Sequence, residues 1–357
     1  MTAVPAPNAR PRRPLSRRRR LLFALVPVFA LLLLAELGIR LVRAPLHFGS
    51  FRALRTDLMK RNYPAELDAT LGYVPRPGFA SRDNHWGTQV SIDADGMRKN
   101  GGPTPPGDTV IACVGDSFTF GDEVDDDASW PARLEVAMQK PVKNGGVFGY
   151  SLTQAVLRAE AMLQRFRVDT LVVAFIPDDL VRSEFEKRYT KLPWFELVGD
   201  GIELRGVPIA HDTDADAGDA TKRWKDALGC SALVDAVLAN TLRAWWFENE
   251  KQVVQPSLQG RHVELGKKLL ERIDARCRAQ DVRLLVVLLG EDPFPYALEV
   301  LQHAEQKGMQ VLDLASRYRA LLAADASLRT KWFRGHMTRE GNEWAAQQIA
   351  AVLRTQR

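Results

Sequence analysis

A serine directly after an apolar run is the first residue whose setting suggests chemistry. Residues 109–114 are mostly apolar and lead into Gly115, Asp116 and Ser117. The glycine permits a sharp turn, and a serine that leaves the carboxyl end of a strand has backbone N–H groups close to its hydroxyl. Such a turn exposes a nucleophile and supplies donors for an oxyanion. Taken alone, a Gly-Asp-Ser triplet is more often a surface turn.

The residue best placed to activate this serine lies far along the chain. His336, one of six histidines, follows Gly335 and precedes Thr338, which can cap the helix predicted after it. A serine hydroxyl is a weak nucleophile until a general base removes its proton, and histidine is the usual base. The simpler alternative for His336 is an exposed histidine in a loop.

These segments together resemble the SGNH/GDSL hydrolase superfamily over residues 108–354. The resemblance implies that Ser117 is the nucleophile and His336 the base, with no metal and no organic cofactor. Four blocks in the family's order carry it, namely residues 115–117, 144–150, 175–180 and 335–336.

The same resemblance implies an oxyanion site near Ser117. The N–H groups of Ser117 and Gly149 would hold the oxyanion, and Asp178 occupies the third block's oxyanion position. Asp116 and Asp179 are the neighbouring supporting residues.

Two positions depart from the family pattern. Asp178 stands where the family has an asparagine that donates to the oxyanion, and losing one donor costs about 10²–10³ in rate. The aspartate that usually precedes the histidine by two or three residues is replaced by Arg334 and Phe333. A backbone carbonyl can orient an imidazole, so a dyad of Ser117 and His336 remains workable.

The two departures change charge in opposite directions. Asp178 and Arg334 should both lie near the carboxyl rim of the sheet. We therefore expect them to form an ion pair, which would neutralise the carboxylate and offer guanidinium donors to the oxyanion.

Apolar runs alternate with helical periodicity after residue 107. This alternation predicts a three-layer α/β/α domain with a parallel sheet of about five strands, the flavodoxin-like fold of the SGNH hydrolases. Ser117 should follow the first strand directly. The predicted strands are 109–114, 142–144, 170–175, 283–289 and 310–312, and the predicted helices are 129–139, 153–165, 262–279, 296–307 and 339–354.

Two stretches do not follow this alternation of strands and helices. Residues 43–107 are rich in proline and glycine and are interpreted as an extracytoplasmic connector to the domain at 108–357. Residues 181–259 contain several tryptophans and are interpreted as an inserted cap beside the site. Ordinary packing explains each aromatic residue equally well.

The net charge of +5 comes from a tail. Without the seven arginines of residues 1–20, the remaining chain has a net charge of −2, which argues against nucleic-acid binding. Residues 21–35 contain no polar side chain, and residues 21–42, with Glu36 and Arg40 near the far end, are long enough to span a membrane with the basic tail on the cytoplasmic side. The sequence thus predicts a single-pass protein of the inner membrane with a periplasmic or extracellular domain. A cleaved signal peptide is the alternative.

The three cysteines form no CxxC motif. Cys113 falls in a predicted strand and should be buried. Cys230 and Cys277 could pair in an exported domain, and their spacing leaves that open.

The predicted function is hydrolysis of an acyl ester, with an ester of an envelope glycan or lipid as the candidate substrate. Two alternatives stay open. The same residues could transfer an acyl group to an exported polysaccharide, or the fold could serve as a binding or assembly module without catalysis. Protein partners are not indicated by the sequence.

Overall fold

The computed structural model describes residues 16–43, 49–52, 64–84, 86–188, 190–210, 220–246 and 252–355. The chain divides into two compact units. The smaller combines Met1–Arg55 with Gly218–Phe247, and the larger combines Thr56–Ala217 with Glu248–Arg357.

A five-stranded parallel sheet forms the centre of the larger unit. Its strands are β1 (Val110–Val114), β2 (Val142–Asn144), β3 (Val168–Phe175), β4 (Arg283–Leu288) and β5 (Gln310–Asp313). They are arranged in the order β2-β1-β3-β4-β5, and every neighbouring pair is parallel. This confirms the predicted sheet, with Ser117 three residues after β1. The order reverses beside β1, where open α/β sheets bind ligands at the carboxyl ends of their strands.

Both faces of the sheet are covered by helices. In β3, Leu171, Val173 and Phe175 join one core cluster, while Val172 and Ala174 join the other, because successive side chains in a strand point to opposite faces. Helices Leu152–Arg165, His262–Ala279 and Pro295–Gln306 cover the first face. Helices Trp130–Met138, Leu314–Ala324 and Arg339–Arg354 cover the second. The predicted three-layer α/β/α fold is confirmed.

Short antiparallel pairs surround this core. Residues 64–107, predicted as a connector, place Tyr73, Ile92 and Met97 in the first core cluster of the larger unit. The short strands are Ala65–Asp68, Gly72–Pro75, Ala80–Ser81, Val90–Ser91, Phe185–Arg188, Thr190–Lys191, Trp194–Val198, Gly201–Arg205 and Val253–Val254. The remaining helical turns are Ser117–Phe120, Asp126–Ala128, Pro177–Arg182, Pro256–Leu258 and Leu328–Trp332.

The smaller unit is helical in its described residues. It contains Arg17–Arg43, Ala220–Leu228, Ala232–Thr241 and Arg243–Trp246. Residues Arg17–Val42 have a mean hydropathy of 2.5 in their most apolar window and form one helix long enough to cross a membrane. The predicted N-terminal apolar helix is therefore present. Part of the segment predicted as a cap, residues 220–246, belongs to this unit.

All three cysteines are free thiols. Cys113 lies buried in β1, as predicted, and Cys277 is buried in the helix His262–Ala279. Cys230 is exposed. Burial raises the pKa of the Cys277 thiol to about 12, which makes it unreactive.

Candidate active site

A tight strand-to-helix turn presents Ser117. The serine begins the short helix Ser117–Phe120, and Asp116 caps it by accepting a hydrogen bond of 2.9 Å from the Phe118 N–H. A Cβ atom on Gly115 would lie 2.5 Å from the Ala174 carbonyl oxygen, so only glycine fits before the turn. Because the first N–H groups of a helix have no partner within it, the Ser117 N–H is available to an anion.

His336 reaches this serine from a short hairpin. Strands Phe333–Arg334 and His336–Met337 pair around Gly335, whose φ of 91° is readily adopted only by glycine. The helix that follows is capped by Thr338, as the sequence indicated. His336 Nε2 lies 2.8 Å from Ser117 Oγ, which is hydrogen-bond distance. The structure thus brings together the predicted nucleophile and base.

Glu123 occupies the orienting position that the sequence left empty. Its Oε1 atom lies 2.8 Å from His336 Nδ1, on the opposite side of the ring from Ser117. Asp122 is next to it, with Oδ1 3.8 Å from the same nitrogen and no hydrogen-bond partner for that buried oxygen among the described residues. A hydrogen bond to Nδ1 fixes the tautomer in which Nε2 accepts the serine proton.

Buried Arg98 holds the loop that carries these two acids. Its guanidinium donates to the carbonyl oxygens of Phe120 and Val124, each at 2.6 Å, and pairs with Asp126 at 3.3 Å. Because Arg98 is 2% exposed, its charge depends on these partners. Arg98 therefore positions the acids without touching the reacting atoms.

The electrostatics favour a basic histidine. Burial alone would lower the pKa of His336, but the attraction of Asp122 and the hydrogen bond to Glu123 raise that pKa above its usual 6.5. Burial also raises the pKa of Asp122 to about 7, although the positive charge of His336 opposes the shift. The charge of each group therefore influences the titration of the other.

A second acidic cluster lies on the other side of Ser117. Arg182 donates to Asp179 at 2.8 Å and to Asp116 at 3.2 Å, and lies 3.6 Å from Asp178. Burial and the neighbouring Asp116 raise the pKa of Asp179 well above its usual range, although Arg182 opposes this shift. Asp116 Oδ2 also lies 3.4 Å from Ser117 Oγ, so the cluster adjoins the nucleophile.

The predicted ion pair between Asp178 and Arg334 is wrong. Both residues are described, and no ion pair joins them; Asp178 pairs with Arg182 instead. The reason is local, because Arg182 lies four residues after Asp178 on one helical turn, where side chains meet. Arg334 is exposed on the outer strand of the hairpin.

The second predicted block is tied to the nucleophile turn. Asn144 is fully buried, donates to the Thr119 carbonyl oxygen at 3.1 Å and accepts from the Gly146 N–H at 3.0 Å. Gly149 has a φ of 72°, and its carbonyl oxygen accepts from Arg188 at 3.0 Å. The role of the Gly149 N–H in oxyanion binding stays a prediction.

One group of side chains could in principle hold a metal ion. The ligand atoms of Asp122, Glu123 and His336 all lie within 4.8 Å of one another. These same atoms form the acid–imidazole contact described above. The geometry therefore fits an orienting acid and base without requiring a metal.

Matches to known proteins occur among solved structures. No family model matches the chain, and no curated protein matches it. Among solved structures, it is similar to a lipolytic protein of the G-D-S-L family from Desulfitobacterium hafniense, with 16% identity, a TM-score of 0.34 and coverage of 68% of this chain and 99% of the other. It is also similar to an acetyl xylan esterase, with 11% identity, a TM-score of 0.37 and coverage of 68% and 99%.

The strand order and the position of Ser117 after β1 are those that the resemblance to the SGNH/GDSL superfamily implies. At these low identities, the structural similarity gives no information on activity. An activity has to be argued from the side chains of this chain.

Proposed function

We propose that this protein is a membrane-anchored serine esterase of the SGNH type. One observation carries the proposal: Ser117 Oγ, His336 and Glu123 form a continuous chain of two contacts of 2.8 Å. A hydroxyl, an imidazole and a carboxylate in this order are the parts needed to activate a serine.

In the proposed reaction, Ser117 Oγ attacks the carbonyl carbon of the ester while His336 Nε2 takes the hydroxyl proton. The tetrahedral intermediate collapses, and His336 returns the proton to the leaving alcohol. Water then attacks the acyl-serine with His336 again as base, which releases the acid and regenerates Ser117. Glu123 accepts the Nδ1 hydrogen bond throughout and stabilises the imidazolium.

We assign the developing oxyanion to the N–H groups of Ser117 and Gly149. Asp178 is not needed as a donor in this scheme, because its side chain is 69% exposed and pairs with Arg182. Arg182 offsets the negative charge that Asp116, Asp178 and Asp179 bring close to the oxyanion.

The helix Arg17–Arg43 supports the proposal of membrane anchoring. We propose that it spans the inner membrane with the arginines inside, which leaves the larger unit outside the cytoplasm. Extraction of membranes at alkaline pH, with sequencing of the mature N-terminus, separates an anchor from a cleaved signal. Release of the chain without residues 1–43 would contradict anchoring.

An ester on an envelope glycan or lipid is the substrate class we propose, since both lie within reach of a membrane-anchored domain. Acyl transfer to a polysaccharide hydroxyl would use the same three residues, with the acceptor in place of water. Glu123 supports catalysis over a pure binding role, because it replaces the orienting acid absent at residues 333–334.

Covalent labelling tests the proposal. A fluorophosphonate probe should label the wild-type chain, whereas Ser117→Ala should not react and His336→Gln should react far more slowly. Thr119→Ser retains a neighbouring hydroxyl and serves as the matched control. Equal labelling of wild type and Ser117→Ala would overturn the assignment. Product analysis with acetylated and free oligosaccharides then separates hydrolysis from transfer.

A further inference from the structure

The anchor helix carries an acid that is bound by another helix of the same unit. Glu36 accepts hydrogen bonds from Ser231 Oγ at 2.8 Å, the Ala232 N–H at 2.9 Å and the Leu233 N–H at 2.8 Å. Arg40 also donates to it at 2.7 Å. A carboxylate at a helix N-terminus satisfies free N–H groups and is stabilised by the helix dipole. Glu36 therefore fixes the start of the helix Ala232–Thr241 against the anchor.

The position of Glu36 sets the depth of that contact. It follows the apolar run of residues 21–35 directly. At 1.5 Å per residue, it lies about 7 Å from the middle of residues 21–42. The hydrocarbon half-thickness of a bilayer is about 15 Å. If residues 21–42 span the membrane, the N-terminus of Ala232–Thr241 lies at the level of the outer leaflet.

The surface of this unit is unusually apolar outside the anchor. Within residues 220–246, five large apolar side chains are 43–52% exposed, namely Trp224, Leu228, Val237, Leu242 and Trp245. In the much longer described part of the larger unit, comparable exposure is scattered over Leu67, Val136, Val198, Phe294 and Leu321. A concentration of this kind marks a contact surface.

Two of the tryptophans form a continuous patch. The ring centroids of Trp224 and Trp245 lie 5.6 Å apart, and Leu228 follows Trp224 by one helical turn. Exposed tryptophans are typical of the boundary between lipid and water, where an apolar ring with one polar N–H is favoured.

Two buried charged groups among these helices have hydrogen-bond partners within the same segment. Lys225 is fully buried and donates to the Trp245 carbonyl oxygen at 2.8 Å. Asp235 is also fully buried and accepts from Trp246 Nε1 at 2.9 Å. A segment in contact with lipid requires this arrangement, since unpaired polar groups are costly there.

We propose that residues 220–246 form a second membrane contact, which lies in the outer leaflet beside the anchor helix with the bilayer as its partner. The inference rests on the proposed anchoring by residues 21–42. Lipid is favoured as the occupant because Glu36 joins residues 220–246 to the helix that we propose to span the membrane.

Depth measurements on the full-length chain in vesicles of phosphatidylethanolamine and phosphatidylglycerol test this inference. In a Cys230→Ser background, single nitroxide labels are placed at Val237→Cys, Leu242→Cys, Leu33→Cys and Val198→Cys. The remaining thiols, Cys113 and Cys277, are buried. Leu33 reports the anchor, and Val198, 42% exposed in the larger unit, reports water.

The accessibility to oxygen relative to a water-soluble nickel chelate should be high at residues 237 and 242, as at 33, and low at 198. If residue 33 is in lipid and residues 237 and 242 are in water, the second contact is overturned while the anchor stands. If residue 33 is itself in water, the proposed anchoring fails. Low accessibility to both reagents at 237 and 242 would indicate a covering protein or a second copy, and would also overturn a lipid partner.

Discussion

Two groups of carboxylates flank Ser117, and each is gathered around one cationic side chain. On one side, Asp122 and Glu123 face His336. On the other, three carboxylates face Arg182. The charge patterns are alike, but imidazole gains and loses a proton near neutral pH and guanidinium does not. The first group is therefore suited to proton transfer, and the second to holding a fixed charge distribution.

The acids that hydrogen-bond to the two cations differ in burial. Glu123 is 40% exposed, whereas the side chains of Asp116 and Asp179 are each 2% exposed. Exposed acids can be lost at modest cost, but buried acids depend on their cation. We therefore expect substitution of Glu123 to change mainly catalysis, and substitution of Arg182 to change stability as well.

The largest effect is expected at the base. His336→Gln keeps a polar side chain but cannot take the serine proton, so kcat for a 4-nitrophenyl ester should fall about 10⁴–10⁶-fold. Adding Ser117→Ala should cost little more, because the two residues act as one unit. Additive losses in the double variant would show that the residues do not work together.

The next largest effect is expected at Arg182. Arg182→Met leaves Asp116 and Asp179 buried without their cation, which should lower the free energy of unfolding by about 3–5 kcal/mol. Urea unfolding monitored by circular dichroism measures this loss. Arg182→Lys retains the charge and should lose less. Adding Asp179→Asn to Arg182→Met should restore part of the stability; no recovery would mean that uncompensated charge is not the cause.

A smaller and more selective effect is expected at the two acids beside His336. Glu123→Gln weakens the hydrogen bond to Nδ1 and should lower kcat about 10–100-fold, less than the loss of a buried triad acid. Asp122 lies at 3.8 Å without a hydrogen bond, so Asp122→Asn should change kcat less. The values of kcat, measured by steady-state kinetics at the pH optimum of each variant, test this order.

The pH dependence of kcat/KM should show whether Asp122 and Glu123 act on the charge of His336 or only support the structure. Neutral imidazole is the base, so kcat/KM should rise with pH along a limb centred above 6.5, since the carboxylates raise the pKa of His336. Removing either negative charge lowers that pKa. The limb should therefore move to lower pH in both Glu123→Gln and Asp122→Asn. A limb that stays in place, or moves upward, would contradict the electrostatic assignment.

The smallest effect is expected at Arg334. Its side chain is exposed and forms no ion pair with Asp178, so Arg334→Ala should change kcat/KM by no more than about twofold. The change in kcat/KM is measured by ester hydrolysis at low salt. Loss of most of the activity would instead support the pairing predicted from the sequence.

The sheet and its helices were predictable because their signals are local. Apolar runs placed β2 at residues 142–144 and the last helix at 339–354, as the structure has them. The Ser117 and His336 segments were also recognisable, since each has a short motif. The spacing alone could have predicted the partner of Asp178, because Arg182 lies one helical turn after it.

Glu123 and Arg98 were missed for a different reason. Glu123 meets His336 across 213 positions of the sequence, and no periodicity reports such a contact. Arg98 came from a stretch interpreted as a connector, although it is buried against the loop at 120–126. The only sequence signal was the Asp122-Glu123 pair close behind the serine, which suggests a search for the orienting acid on both sides of the site.

The origin of the orienting carboxylate also bears on how such sites diverge. Here the serine and the acid beside the histidine come from one stretch of seven residues, 117–123, and the hairpin contributes only the imidazole. We therefore expect positions 333 and 334 to vary among homologues that keep an acid at position 123. Among homologues, an acid should be kept at one place or the other, and lineages that lose both should also lose the serine.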